Sequence, residues 1–326
     1  AEVRFRMLET VREFGQQRLM DAGSEATAWE AVIAWATSFA REQGERGLLF
    51  PAGLTAAQHL AVVREHDNLV HILRRLLVER RDADAVLLFA VLGQSWFIRG
   101  SFTEFIGYAP RMIETAGSCG RDRIGADVVV ITMAMGVLGC LISGDPSATR
   151  GLALLRLHRT RAGERLAPAW HLLTEALDAA ARGETSSAAD IRAGQTDPRA
   201  QLAADILVSQ AEENDGEAEP AMQAARSAWE RARRIGERWA EGMAADLAAQ
   251  LAAQTGQPED ALVWLDRAAE VFREYDAQDQ LSQQDWVRGG ALLCLGRTGE
   301  ARPLFQRLVD EGGLSQDGLE LTSIGR

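Results

Sequence analysis

The chain has 326 residues, of which 47% are apolar and only 8 are proline, a composition typical of a globular, helix-rich protein. Its 35 basic residues are all arginine, and 47 acidic residues give a net charge of −12. This balance argues against direct contact with nucleic acid, whose phosphates require a basic surface. The absence of lysine excludes a phosphate-binding loop of the Walker type.

The first predicted element runs from Arg4 to Leu19. Its apolar residues repeat at intervals of three, which predicts an amphipathic helix or a short strand that leads into one. Gly23 follows soon after and is expected to end it. The repeating positions are Phe5, Leu8, Val11 and Phe14.

Two longer helices are predicted next, each with a hydroxyl residue at its start. Ser24 is expected to cap a helix that extends through Gln43, and Thr55 a helix that extends to Arg80. The inward face of the first of these helices comprises Trp29, Val32, Ile33, Ala36 and Phe39.

The rest of the chain reads as a series of helix pairs, each closed by a glycine. Gly216, Gly256 and Gly296 stand 40 residues apart, and an alanine follows each by five positions, as Ala261 follows Gly256. A fixed period of this size is typical of stacked two-helix repeats. The predicted pairs are 83–98 with 102–116, 125–142 with 146–160, 166–181 with 184–194, 198–213 with 217–234, 237–254 with 258–274, and 279–295 with 298–311. The predicted hinge glycines are Gly100, Gly144, Gly183, Gly216, Gly256 and Gly296.

This spacing resembles the tetratricopeptide repeat in its longer variant of about 40 residues. In that family a glycine closes the first helix and a small residue lets the second helix pack closely. Gly93 and Gly289, each seven residues before a hinge glycine, match the family's glycine at the crossing of two helices. The resemblance implies an all-α fold in which helix hairpins stack into a right-handed superhelix with a concave groove.

A second resemblance covers about the first third of the chain. The segments RFRMLETVREFGQQRL, REHDNLVHILRRLL and WFIRGSFTE are similar, in this order, to landmarks of actinobacterial ATPase-type transcriptional regulators. Phe105, Ile106 and Tyr108 depart from that family's more polar continuation. The resemblance implies a piece of a longer protein, with a remnant of an upstream winged-helix and ATPase region at 1–22, lead-in helices at 23–82, the repeat solenoid at 83–313 and a tail at 314–326.

In the tetratricopeptide family the groove is lined 13, 10, 6 and 3 residues before each hinge glycine. Carboxamide, acidic and aromatic side chains at such positions would suit a peptide or a sugar-like or aromatic small molecule. A polar groove with stray tryptophans is the alternative interpretation. The candidate groove residues are Gln94, Phe97, Trp170, Gln210, Glu213, Met243, Asp246, Gln250, Gln283 and Trp286. Among them, Trp170 or Trp286 is expected to touch the ligand. The tryptophans expected to pack inside the protein are Trp29, Trp35, Trp96, Trp229 and Trp264.

No combination of residues for catalysis is recognisable, so the chain is not expected to be an enzyme or to hold a metal or cofactor in this segment. The histidines at 59, 66 and 71 are spaced seven and five apart, which suits a metal site poorly. The apolar stretch Val128–Ile142 is short for a membrane span and is expected to be a buried helix. Cys119, Cys140 and Cys294 are expected to be buried, reduced thiols of a cytoplasmic protein.

Two functions remain open from the sequence. The first is a sensor or effector module of a multidomain bacterial transcriptional regulator. Its partners would be a small-molecule inducer or a protein in the groove, together with its own upstream ATPase and DNA-binding domains, but neither nucleic acid nor membrane. The alternative is a free-standing tetratricopeptide-repeat scaffold for assembling a protein complex.

Overall fold

A computed structural model describes residues 8–47, 54–119, 124–183, 190–191 and 193–312. These residues form fourteen α-helices and no strand. The helices are α1 Glu9–Asp21, α2 Glu25–Gly47, α3 Ala56–Val78, α4 Asp82–Arg99, α5 Phe102–Ser118, α6 Ala126–Ser143, α7 Ser147–Ala162, α8 Pro168–Ala181, α9 Pro198–Asn214, α10 Ala218–Ile235, α11 Arg238–Gln254, α12 Pro258–Glu274, α13 Gln278–Cys294 and α14 Thr298–Gly312; a 3-10 turn, Gly163–Arg165, follows α7.

The all-α fold class is confirmed, and the helix boundaries from α4 onward agree with the predicted pairs to within about two residues. All six predicted hinge glycines adopt a positive φ, which an L-residue rarely tolerates. At Gly256, for example, φ is 72° and the chain passes directly from α11 into α12. The predicted partner helix of α8 and the C-terminal tail fall largely outside the described residues.

The start of the chain is less regular than expected. Phe5 lies outside the described residues, and Val11 and Phe14 are exposed on α1. Thr55 caps α3 as predicted, in a reciprocal capping box with Gln58. The Ser24 hydroxyl instead donates to the carbonyl of Ala22.

Six helices form an inner layer, in which successive members contact each other: α4 with α6, α6 with α8, α8 with α9, α9 with α11, and α11 with α13. Helix α13 then contacts α4, so the inner helices form a closed ring. The helices α5, α7, α10, α12 and α14 follow inner helices in the chain and pack against them. The ring therefore joins the two ends of the repeat region through direct contact.

The contact that closes the ring, which we call the ring seam, comprises His59, Ile98, Gly100, Tyr275 and Asp279. The rings of His59 and Tyr275 have centroids 6.0 Å apart. Ile98 on α4 belongs to the same apolar core as Tyr275. A Cβ atom at Gly100 would overlap the Asp279 carboxylate, so the backbone of α4 approaches α13 as closely as only glycine permits.

The core is divided into two large apolar clusters. The first extends from α2 to α8 and contains large side chains such as Phe89 and Trp96, which are both fully buried. The second extends from α9 to α13 and is built mainly from alanines, including Ala261 and Ala268. Small side chains let neighbouring helices of the second cluster pack at close distance.

Helix α6 contains the apolar stretch found in the sequence. Among the described residues, α6 is long and apolar enough to cross a membrane by length and composition. However, 56% of Ala126–Ser143 is buried inside the protein. Gly136 and Gly139 are buried, as expected for close packing. A Cβ at Gly136 would lie 2.9 Å from Ile113 Cγ1 on α5.

Three of the expectations about burial are wrong, the first being that for Val32 on α2, which is 37% exposed and not turned inward. Cys294 is exposed at the C-terminal end of α13, although Cys119 and Cys140 are buried as expected. Trp35 is 41% exposed, because α2 turns this face away from the core and stacks it only on Phe39.

Replacing Ala261 by leucine should lower the free energy of unfolding by about 1–3 kcal/mol, because the side chain is fully buried between close-packed helices. Val263, two residues further along α12, is 49% exposed and provides the control. Val263→Leu should leave the urea midpoint unchanged. Equal midpoints for Ala261→Leu and the wild type would contradict the packing described for α12.

Adjacent glycines on α13 offer a second test of helix packing. A Cβ at Gly289 would lie 2.6 Å from Phe305 Cζ on α14, whereas a Cβ at Gly290 meets nothing within 4 Å. Gly290→Ala should raise the free energy of unfolding by about 0.5–1 kcal/mol through reduced chain entropy. Gly289→Ala should lower it, since Phe305 must shift. Denaturant titration of both variants measures the difference, and the same sign of change in both would contradict the close crossing of α13 and α14.

Candidate ligand cavity

A half-open cavity of about 330 Å³ lies inside the ring of inner helices. Its wall is formed by helices α4, α6, α8, α9 and α11, with Phe105 from α5. A volume of this size lies at the lower end of the range for small-molecule sites. The lining residues are Gln94, Phe97, Ile98, Phe105, Ala134, Met135, Leu138, Trp170, Leu173, Ala176, Leu177, Ala180, Leu207, Gln210 and Trp239.

The wall of the cavity is predominantly apolar. Its polar side chains are the carboxamides of Gln94 and Gln210 and the indole N–H groups of two tryptophans. No Asp, Glu, Arg or His is among the residues that line it. The cavity can therefore exclude water and bind apolar surface, but it offers few hydrogen bonds and no charge.

Gln94 is the more buried of the two glutamines in the wall, with 8% of its surface exposed. Its Nε2 donates to the carbonyl oxygen of Ala90, 3.1 Å away and one turn earlier on α4. Its Oε1 is buried and accepts no hydrogen bond from the described residues. A buried acceptor without a donor destabilises the protein relative to a paired one, and because almost none of this oxygen is exposed, a donor in the cavity could reach it only after the side chain rotates.

The two tryptophans in the wall are held by neighbouring side chains. Trp170 on α8 is 5% exposed, so most of its surface packs against the protein and only a small part faces the cavity. Trp239 on α11 is 3% exposed and lies 5.3 Å from the ring of Phe272 and 5.1 Å from that of Tyr275, centroid to centroid. Because Tyr275 belongs to the ring seam, Trp239 connects the wall of the cavity with the contact that closes the ring.

Four of the candidate groove residues line the cavity, namely Gln94, Phe97, Trp170 and Gln210. They come from α4, α8 and α9, where the counted offsets point into the ring. Sequence reasoning missed Trp239, which lies 17 residues before Gly256. This offset is one helical turn beyond the largest offset counted, on the same helix face, so extending the count by four residues would have found it.

The other candidate residues lie outside the cavity. Glu213 accepts a hydrogen bond of 2.8 Å from Gln254, and Met243 packs against the second core cluster. Gln283 is exposed. Trp286 is 45% exposed and meets Phe305 edge-on at 5.5 Å, which places it at the packing of α13 on α14.

Asp246 and Gln250 form a polar cluster with Gln284, also outside the cavity. Gln250 Nε2 donates to Asp246 Oδ2 at 2.8 Å, and Gln284 Nε2 donates to Oδ1 at 2.9 Å. Burial raises the pKa of the Asp246 carboxyl, and the two hydrogen bonds oppose that rise. The cluster joins α11 to α13, so its role in the structure is to connect two neighbouring inner helices.

The histidines do not come together as a metal site. His66 Nε2 accepts a hydrogen bond of 2.9 Å from the indole N–H of Trp96. His59 is fully buried at the ring seam, with its Nδ1 3.3 Å from the hydroxyl of Ser95. In the part of the chain that the structure describes, no group of three His, Cys, Asp or Glu side chains is placed to hold a metal ion.

Comparison with known proteins adds no assignment, since no family model matches the chain and no curated protein matches it. The function must therefore be argued from the cavity, the ring and the sequence patterns.

The buried His59 should make the ring seam sensitive to acid. Burial, followed by the charge of Arg99, lowers the pKa of His59 to about 4, below its ordinary value of 6.5. The native state therefore disfavours the proton, so this contribution to stability is complete above pH 6.5 and is lost as the pH falls toward 4. Between pH 6.5 and pH 5 the loss should be roughly 1–2 kcal/mol.

The measurement is the free energy of unfolding as a function of pH for the wild type and His59→Phe, which retains an aromatic ring but does not titrate. The variant should show a weaker decrease between pH 6.5 and pH 5. Because the comparison uses slopes, a constant packing defect in the variant does not affect it. Parallel curves for the two proteins would contradict a neutral, buried His59.

Proposed function

We propose that the chain is the ligand-sensing module of a multidomain bacterial transcriptional regulator, and that it binds a small-molecule inducer inside the ring. The observation that carries this proposal is the apolar cavity enclosed by helices from both halves of the repeat region. A compact ligand in such a cavity would contact the protein on many sides. The regulator assignment rests on the N-terminal sequence landmarks and their order.

The proposed fold is a right-handed tetratricopeptide-type superhelix that has closed on itself. Positive-φ glycines at the hinges, the 40-residue period and the close helix crossings at Gly93 and Gly289 support it. A Cβ at Gly93 would lie 2.5 Å from Met135 Cε on α6. In this arrangement the first helix of each hairpin faces the ring interior.

A ligand in the cavity would act on the ring as a whole. It would contact α4 at one side of the ring seam and Trp239, which packs against Tyr275 at the other side. A ligand that binds the closed ring more tightly than an open one shifts the population toward the closed ring. An upstream ATPase domain could then respond to the change at the N-terminal helices.

The alternative, a free-standing scaffold, has one observation in its favour. Trp286 and Leu293 are seven residues apart on α13, and each is nearly half exposed. Residues at this spacing lie on one helix face, where they could contact a partner protein. The two functions differ in their prediction for the cavity, because a scaffold of this kind would not depend on it.

The test uses the complete gene in its native bacterium. Ala176, in the cavity wall on α8, is replaced by phenylalanine to fill the cavity, and Ala153, exposed on the outer helix α7, is replaced by phenylalanine as a matched control. Transcript levels across the genome are then compared with those of the wild type and of a deletion strain.

We expect Ala176→Phe to change the same set of transcripts as the deletion, or to fix them in one state, while Ala153→Phe leaves them at wild-type levels. The complete reading frame should also encode a nucleotide-binding and a DNA-binding domain. Unchanged transcripts in the deletion strain would contradict the regulator function. Unchanged transcripts in Ala176→Phe alone would contradict the role of the cavity and favour the scaffold.

A further inference from the structure

We infer that the ligand of this cavity is a neutral, predominantly apolar small molecule with at least one hydrogen-bond donor, which the side-chain oxygen of Gln94 accepts. This inference rests on the proposed small-molecule binding in the ring and specifies the ligand's chemistry. The sequence alone allowed peptides and sugar-like molecules as ligands, and the inference excludes both of these classes.

The composition of the wall selects against polar ligands. Thirteen of the fifteen lining residues are apolar or aromatic, and the two others are glutamines. A sugar carries a hydroxyl on most of its carbons, and each buried hydroxyl without a partner opposes binding. Two carboxamides and two indole N–H groups cannot satisfy that number of groups, so a polyol would lose more hydrogen bonds to water than it gains.

A charged ligand is also disfavoured, because the wall cannot replace the interactions that its charge makes with water. A charged group that leaves water requires an opposite charge or several strong hydrogen bonds. The lining residues contain no side chain that is ionised at neutral pH. On α11, the carboxylate of Asp246 is held by Gln250 and Gln284 outside the cavity.

Gln94 specifies the one polar feature of the ligand. Its Nε2 is engaged by the Ala90 carbonyl, which orients the carboxamide and leaves Oε1 as an acceptor without a donor. Gln94 lies one turn before Ile98 on α4 and three residues before Phe97, and both of these also line the cavity. A ligand N–H or O–H placed here, after a small rotation of the side chain, would satisfy an oxygen that the protein leaves unpaired.

The cavity volume of about 330 Å³ suits a molecule of two or three rings better than a peptide. Aromatic side chains at 97, 105, 170 and 239 would contact the flat faces or edges of such rings. An aromatic amine or phenol without a charged group therefore matches the wall in size, polarity and hydrogen bonding.

Three related compounds test the need for a hydrogen-bond donor and the need for neutrality separately. N-phenyl-1-naphthylamine is neutral and has one N–H donor. In 1-benzylnaphthalene a methylene replaces that N–H, and 8-anilinonaphthalene-1-sulfonate adds a sulfonate while keeping it. Affinities are measured on the purified chain by fluorescence, or by displacement of N-phenyl-1-naphthylamine for the methylene compound.

We expect the wild type to bind N-phenyl-1-naphthylamine about tenfold more tightly than either of the other two compounds. Gln94→Leu should remove the preference for the N–H compound over the methylene compound and leave the affinity for the latter within about twofold. Ala176→Phe should abolish binding of both neutral compounds, and Ala153→Phe should bind them as the wild type does. Circular dichroism checks that each variant is folded.

The outcomes distinguish this inference from the proposed function. Equal binding of the N–H and methylene compounds by the wild type would overturn the donor requirement, even if Gln94→Leu failed to fold. Binding of the sulfonate as tight as that of the neutral amine would overturn the requirement for neutrality, while the cavity remained the site. Undiminished binding by Ala176→Phe would place the ligand elsewhere and remove the support for both proposals.

Discussion

The structure depends on the contact between α4 and the start of α13, where the row of inner helices meets its own beginning. Gly100 permits the approach, because any larger residue would overlap Asp279. Ile98, His59 and Tyr275 then bury apolar and aromatic surface across the gap. Without this contact the inner helices would enclose an open groove, and the cavity between them would lose one wall to solvent.

Close packing in the second core explains why the ring encloses so small a space. Alanines dominate the interface of α11 with its neighbours, so these helices approach more closely than leucine-rich helices can. The first core is bulkier, since Phe89 stacks on Phe105 and meets Trp96 edge-on. The cavity lies where these two kinds of packing meet, between α4, α8 and α11.

The cavity and the ring seam share residues, which gives the proposed ligand sensing a physical basis. Ile98 lines the cavity and packs in the core of the seam. Trp239 lines the cavity and contacts Tyr275. A ligand that fills the space beside these two side chains would stabilise the closed ring over the open one, and coupling of this kind requires only a difference in affinity between two states.

The sequence by itself determined the helices and their hinges. Local rules are sufficient there: glycine at a positive φ ends a helix at Gly256, and a capping box begins one at Thr55. It also indicated Gln94, Trp170 and Gln210, because residues on one helix face follow from a fixed period. Only the tertiary structure decided that the ring closes and that Trp286 packs on Phe305 of α14. Ring closure depends on contacts between residues some 180 positions apart, such as Gly100 and Asp279, whose approach is set by the summed rotation of every hairpin between them and not by any local pattern.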